Sequence, residues 1–205
     1  MASDKTNVMR VLEQHKITYT AHEYPHGKEA VDGVTVAELL GQNIEQVFKT
    51  LVARGRSGSY HVFVIPVAKE LDLKKAAKAA GEKSVEMVHV KELLGLTGYV
   101  RGGCSPVGMK KAFATVFDES VNAIPTVIVS AGKIGYQIEC APADLFALTR
   151  PKTAPITTDG AARRHPGTAQ TRFARRSRSA ARAWPPAWRH RRTAQSARGR
   201  PGRYR

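Results

Sequence analysis

Lys49, Cys104 and the glycine pair Gly102-Gly103 are the residues whose types and settings could do chemistry. Lys49 lies inside Val47-Phe48-Lys49-Thr50-Leu51-Val52, an apolar run of strand character. Two placements are open to it. On the outer face of a strand it is a solvated charge, the usual fate of a lysine. Turned into a cleft, its compact ammonium can bind a phosphate or polarise an ester carbonyl. Thr50 beside it points to the opposite face of a regular strand, so it joins the same site only where the strand bends or ends.

The other candidates share one stretch, Thr97 to Lys111, T-G-Y-V-R-G-G-C-S-P-V-G-M-K-K. Gly102-Gly103 and Ser105-Pro106 break both the helical and the strand period, so this is a loop set between regular elements, either a tight connection or the lining of a site. Backbone N–H groups at Gly102 and Gly103 can form a nest for an oxyanion or a phosphate. Cys104 as a nucleophile needs a base within reach and a depressed pKa; as a packing residue it needs neither. Ser105 stands outside a G-x-S-x-G elbow, which disfavours a serine hydrolase.

His15, His22, His26, His61 and His89 are scattered, and no H-E-x-x-H, H-x-E or C-x-x-C occurs. Neither a metal nor a cofactor is therefore expected. A phosphate-binding G-x-x-x-x-G-K-[ST] and a dinucleotide G-x-G-x-x-G are also missing. The lysines of Lys69 to Lys78 sit on a helix, either as a solvated face or as a phosphate-contacting face for RNA.

The elements that must position these residues follow from periodicity. Helices are expected from Asp4 to His15, from the Thr35–Glu38 capping box to Gly41, from Leu73 to Ala80 between an Asp72 cap and Gly81, around Val90–Leu94 before Gly95, and from Pro142 to Leu148. Strands are expected near Tyr19–Tyr24, at 47–52 and 60–67 joined as a hairpin across Arg54–Ser59, and at 114–117, 127–130 and 136–140. Helices interleave with hairpins without a βαβ rhythm, so the class is α+β.

Charge divides the 205 residues in two. Residues 1–150 hold 18 Lys+Arg against 16 Asp+Glu, whereas residues 151–205 hold 15 against one. The first part is long enough to bury a core. The second, rich in Arg, Ala and Pro, is expected to be a disordered basic tail. Such a tail is either dispensable or a salt-sensitive contact for RNA, and a chain ending near Arg150 is expected to fold and act normally. Two cysteines and the lack of an apolar segment of roughly 18 residues suit a reduced, cytoplasmic protein without a membrane anchor.

V-F-K-T-L-V (47–52), L-D-L-K-K-A-A-K (71–78), the loop 97–111 and I-V-S-A-G-K-I-G (128–135) occur in an order that resembles the YbaK/EbsC family. These are aminoacyl-tRNA deacylases related to the editing domain of prolyl-tRNA synthetase. The resemblance covers about residues 5–149. It implies a mixed, barrel-like β-sheet with packed helices, and trans-editing hydrolysis of mischarged Cys-tRNA(Pro). It also implies that the substrate's own thiol attacks the ester, releasing a thiolactone, with Lys49 catalytic in positioning the tRNA 3′ end or stabilising negative charge. Gly102 and Gly103 would shape the pocket, with Thr50, Tyr24 and Ser130 as substrate-binding neighbours, and Cys104 becomes a packing residue. Aminoacyl-tRNA is the implied partner, with prolyl-tRNA synthetase as a second. Members often carry an acid after the glycine turn, where Gln137 stands here, so an Ala-tRNA(Pro) deacylase is the alternative. A non-catalytic RNA- or synthetase-binding module is the rival of another class.

Overall fold

A computed structural model describes residues 5–27 and 30–158. Among these residues, eight strands form two sheets with five α-helices packed on them, an α+β fold. The larger sheet runs β4 (Val85–Met87), β2 (Phe48–Gly55), β3 (Tyr60–Pro66), β5 (Ala114–Asp118), β8 (Lys152–Ala154). β2 pairs antiparallel with both β3 and β4, whereas β3–β5 and β5–β8 are parallel. The smaller sheet is antiparallel, with β7 (Tyr136–Cys140) between β1 (Thr20–Glu23) and β6 (Val127–Ser130). A parallel bridge between Val47 and Ile128 joins the two.

Side-chain alternation on the central strands supplies two cores at once. Val62 and Val64 of β3, with Phe48, Val52 and Phe117, face a core shared with the small sheet and with α1 (Asn7–Gln14), through Val8, Met9 and Leu12. Phe63 and Ile65, with Ala53 and Val116, face a second core beneath α3 (Leu73–Ala80), through Ala76 and Ala77. This is why β3 reads as an unbroken apolar run: both of its faces are covered.

The caps explain most helix limits. Asp72 Oδ1 accepts from the N–H groups of Lys74 and Lys75 at 2.9 and 3.0 Å, and Gly81 closes α3 at φ 75°. α2 (Gly33–Leu40) starts earlier than the Thr35–Glu38 box suggests, because Asp32 caps it by accepting from Thr35 N at 3.3 Å. α4 (Val90–Thr97) runs through Gly95 and ends at Gly98, φ 84°. An interior glycine costs a helix only about 1 kcal/mol, and the stop is made by Thr97, whose Oγ1 donates to Leu93 O and accepts from Tyr99 N. α5 (Pro142–Thr149) carries proline in its first turn.

Packed structure continues beyond Arg150. β8 pairs with β5, and Ile156 is fully buried. Ile156 N donates to Asp118 Oδ2, and its carbonyl accepts from Asp72 N at 2.9 Å. Thr158 N then donates to Glu70 O at 3.0 Å. A chain ending near Arg150 would lose all of these contacts, so packed structure extends past the expected boundary at least to Thr158. The basic segment 159–205, expected to be disordered, lies outside the described residues. Among the described residues no helix is long and apolar enough to cross a membrane.

Candidate active site

A cavity of about 150 Å³ opens where the two sheets meet. Tyr24, Lys49, Thr50, Gly102 and Ser130, all marked out in the sequence, line it together. Four consecutive residues, Val47 to Thr50, contribute, because the cavity wraps the start of β2 next to the Val47–Ile128 bridge. At that strand end, side chains from both faces reach one space, which answers the alternation problem for Thr50.

Each element is held in place by identifiable contacts. Tyr24 is buried, and its N–H donates to Gly135 O at 2.9 Å, tying the segment after β1 to the turn before β7. In the glycine loop, Gly103 N donates to Val100 O at 3.0 Å, closing a turn with Gly102 at φ 83°. A Cβ on Gly102 would stand 2.5 Å from Ala30 Cβ, so a side chain there is excluded twice over. Tyr99 pins the far end of the loop. Its hydroxyl donates to Val107 O at 2.8 Å, and Asn7 Nδ2 reaches both Tyr99 Oη and Gly108 O.

Gly103 is not part of the lining. An added Cβ there would lie 3.2 Å from Ile134 N, so this glycine serves loop-to-turn packing. Ser105 is buried and its Oγ accepts from Val107 N within the loop.

Lys49 Nζ lies 3.6 Å from Glu70 Oε1, with 28% of the lysine side chain exposed. The ammonium is neither buried nor fully solvated, and its partner is on the solvent side. Cys104 lines the cavity, but burial pushes its thiol up to about 12, with a hydrogen bond to Thr97 only partly opposing this. A thiol so raised is protonated at neutral pH and is a poor nucleophile. Cys140 is likewise pushed up to about 12 by burial, then by Asp144 and Glu139.

Several lining residues were not anticipated. Asp32 and Gly33 bring the first turn of α2 to the rim, and Gly33 is required by Val67, whose Cγ2 would lie 2.3 Å from an added Cβ. An Asp-Gly pair before an apolar helical run is a readable cap signal. Gln137, already marked in the sequence as standing where the family often carries an acid, also lines the cavity and faces Ser130 across β7 and β6. The hydroxyls of Thr50 and Ser130 are buried without a hydrogen-bond partner among the described residues.

A wider depression of about 280 Å³ holds Lys69, Lys75 and Asp118 near Thr157 and Thr158. Its polar groups already bond one another: Lys75 Nζ donates to Thr157 O, and Asp118 accepts from Ser120 and Ile156. It is a junction of the fold rather than a second reactive centre.

The sequence profile of the aminoacyl-tRNA editing domain matches residues 28–148. The chain belongs to the aminoacyl-tRNA editing domain family. That membership makes it an aminoacyl-tRNA deacylase by class. Over 154 residues it is 50% identical to EbsC of Enterococcus faecalis (strain ATCC 700802 / V583), provisionally named a Cys-tRNA(Pro)/Cys-tRNA(Cys) deacylase; the match covers 75% of this chain and 94% of that protein. The proline–tRNA ligase of Thermosipho melanesiensis (strain DSM 12029 / CIP 104789 / BI429) is 29% identical over 101 residues, 49% of this chain and 18% of the ligase. A crystal structure described as a trans-editing enzyme for prolyl-tRNA synthetase, itself a provisional name, superposes with a TM-score of 0.65 at 26% identity. It covers 77% of this chain and 99% of that one. The editing-domain fold and the α+β expectation therefore agree.

Proposed function

We propose that this editing-domain protein acts in trans on mischarged tRNA, hydrolysing the ester that joins cysteine to the 3′ end of tRNA(Pro). The observation that carries the reading is the shared cavity: a cation, Lys49, and a side-chain-free loop position, Gly102, open onto the same small space. An ester needs just this pairing, a charge for the oxygen that becomes negative and an uncrowded approach for the nucleotide that carries it.

Cys104 is unsuited to attack, and the family resemblance points to the substrate's own thiol as the nucleophile. Its sulfur attacks the ester carbonyl carbon, the carbon–oxygen bond breaks, and the ribose oxygen leaves with a proton. The product is free tRNA and a cyclic thiolactone, which water opens to cysteine. Lys49 stabilises the charge that develops on oxygen or holds the terminal phosphate, while Tyr24, Thr50 and Ser130 orient the aminoacyl group. Prolyl-tRNA synthetase is the natural partner for choosing the tRNA, and the matching segments of proline–tRNA ligases support that link.

Competitive deacylation of tRNA(Pro) charged with cysteine, alanine or serine tests the reading. Cysteine should be released fastest, and serine, whose hydroxyl is a far poorer nucleophile, much more slowly. Faster release of alanine would instead make the chain an Ala-tRNA(Pro) deacylase that uses a bound water.

A further inference from the structure

The cavity wall is organised by a residue that never reaches it. Gln42 follows the Gly41 cap of α2, and its backbone N–H is fixed on Ala37 O at 2.9 Å. Its Nε2 donates to Gln137 Oε1 at 3.0 Å. Gln137 is buried at 7% exposure and lines the cavity beside Ser130. The bond occupies the Gln137 carbonyl and leaves its NH2 group for the cavity. It is bought at a cost: Gln42 Oε1 is buried with no hydrogen-bond partner among the described residues. Turning both amides over would not help, because it would bury an NH2 with two unmet donors in place of one unmet acceptor.

We propose that Gln42 is a positioning residue for substrate recognition, holding the Gln137 amide so that it offers a hydrogen-bond donor to an acceptor atom of the aminoacyl ester. The inference rests on the deacylase reading above. Freed from Gln42, the Gln137 amide can rotate by a half-turn and present oxygen instead, which repels the same acceptor. A packing role for Gln42 would act on the whole fold; a positioning role acts only while Gln137 is present.

A double-mutant cycle separates the two. The full chain, Gln42→Leu, Gln137→Ala and the double variant are compared for kcat/KM on Cys-tRNA(Pro), with melting curves recorded in parallel. Gln42→Leu should lower kcat/KM by about three- to tenfold, the range of one ordinary hydrogen bond, and should have no further effect once Gln137 is Ala. Gln42→Glu, of equal length but accepting where Gln42 donates, should lower it at least as much, again only when Gln137 is present. It also serves if the leucine variant folds poorly. Equal losses with and without Gln137, or no loss at all, would overturn the proposal while leaving deacylation standing. A wild-type chain that releases no amino acid would overturn the deacylase reading and this inference with it.

Discussion

Lys49 Nζ and Glu70 Oε1 stand 3.6 Å apart at the edge of the cavity, the lysine more shielded than the glutamate. Where Lys49 binds an anionic part of the substrate, as proposed, Glu70 competes for it. A pair this exposed stabilises the fold by about 0–1 kcal/mol. Glu70→Gln should therefore leave the melting temperature nearly unchanged and lower KM for charged tRNA by up to about fivefold. A rise in KM on a titration at low salt would show that Glu70 assists binding instead.

The two buried thiols contribute to the alkaline limit, alongside Tyr19 and Tyr99, which are also raised by burial. Both thiols are pushed up to about 12 from an ordinary value of 9.0. Because the folded state holds these protons more tightly, the contribution is complete below pH 9 and is lost as pH rises towards 12. Thermal melts should show stability falling above pH 9, less steeply in Cys104→Ala with Cys140→Ala. The same Cys104→Ala change should leave deacylation within a few-fold of wild type, whereas abolished turnover would make that sulfur a participant.

Two glycines adjacent in sequence should differ. Gly102→Ala places a Cβ at φ 83° and 2.5 Å from Ala30 Cβ, so a loss of about 1–2 kcal/mol from the backbone alone is expected, with a raised KM. Gly103→Ala meets backbone at 3.2 Å without a positive φ and should cost less and act on stability alone. Urea titration with steady-state kinetics on both variants checks the order.

Chain shortening tests the extent of the fold. A chain ending at Thr158 keeps β8 and Ile156 and should melt and deacylate like the full protein. Ending at Arg150 removes the burial of Ile156, about 1.5–3 kcal/mol on its own, and strips β5 of its edge partner. Denaturant midpoints of the two chains give the comparison.

These outcomes also mark what was legible in the residues. The β2–β3 hairpin and α3 could be read because apolar runs flanking a Gly/Ser turn and an Asp–Gly frame are local signals. β4 and β8, three residues each, have no period of their own and exist through pairing with β2 and β5. Lys49 and Gly102 were readable as unusual residues, but whether a strand lysine meets a loop glycine some fifty positions away depends on the crossing of two sheets. The Gln42–Gln137 bond left no trace in the chain, since Gln137 stood out only as a replacement for the family's usual acid, Gln42 belongs to no motif, and only the end of α2 brings them together.

Release of labelled cysteine from Cys-tRNA(Pro) by the wild type and by Lys49→Ala, under single-turnover conditions, addresses the whole account most directly. Losing a charge that stabilises the reacting oxygen should slow release by at least about a hundredfold, with a melting temperature close to wild type because the Glu70 pair is weak. Release at the wild-type rate from a folded Lys49→Ala protein would contradict it.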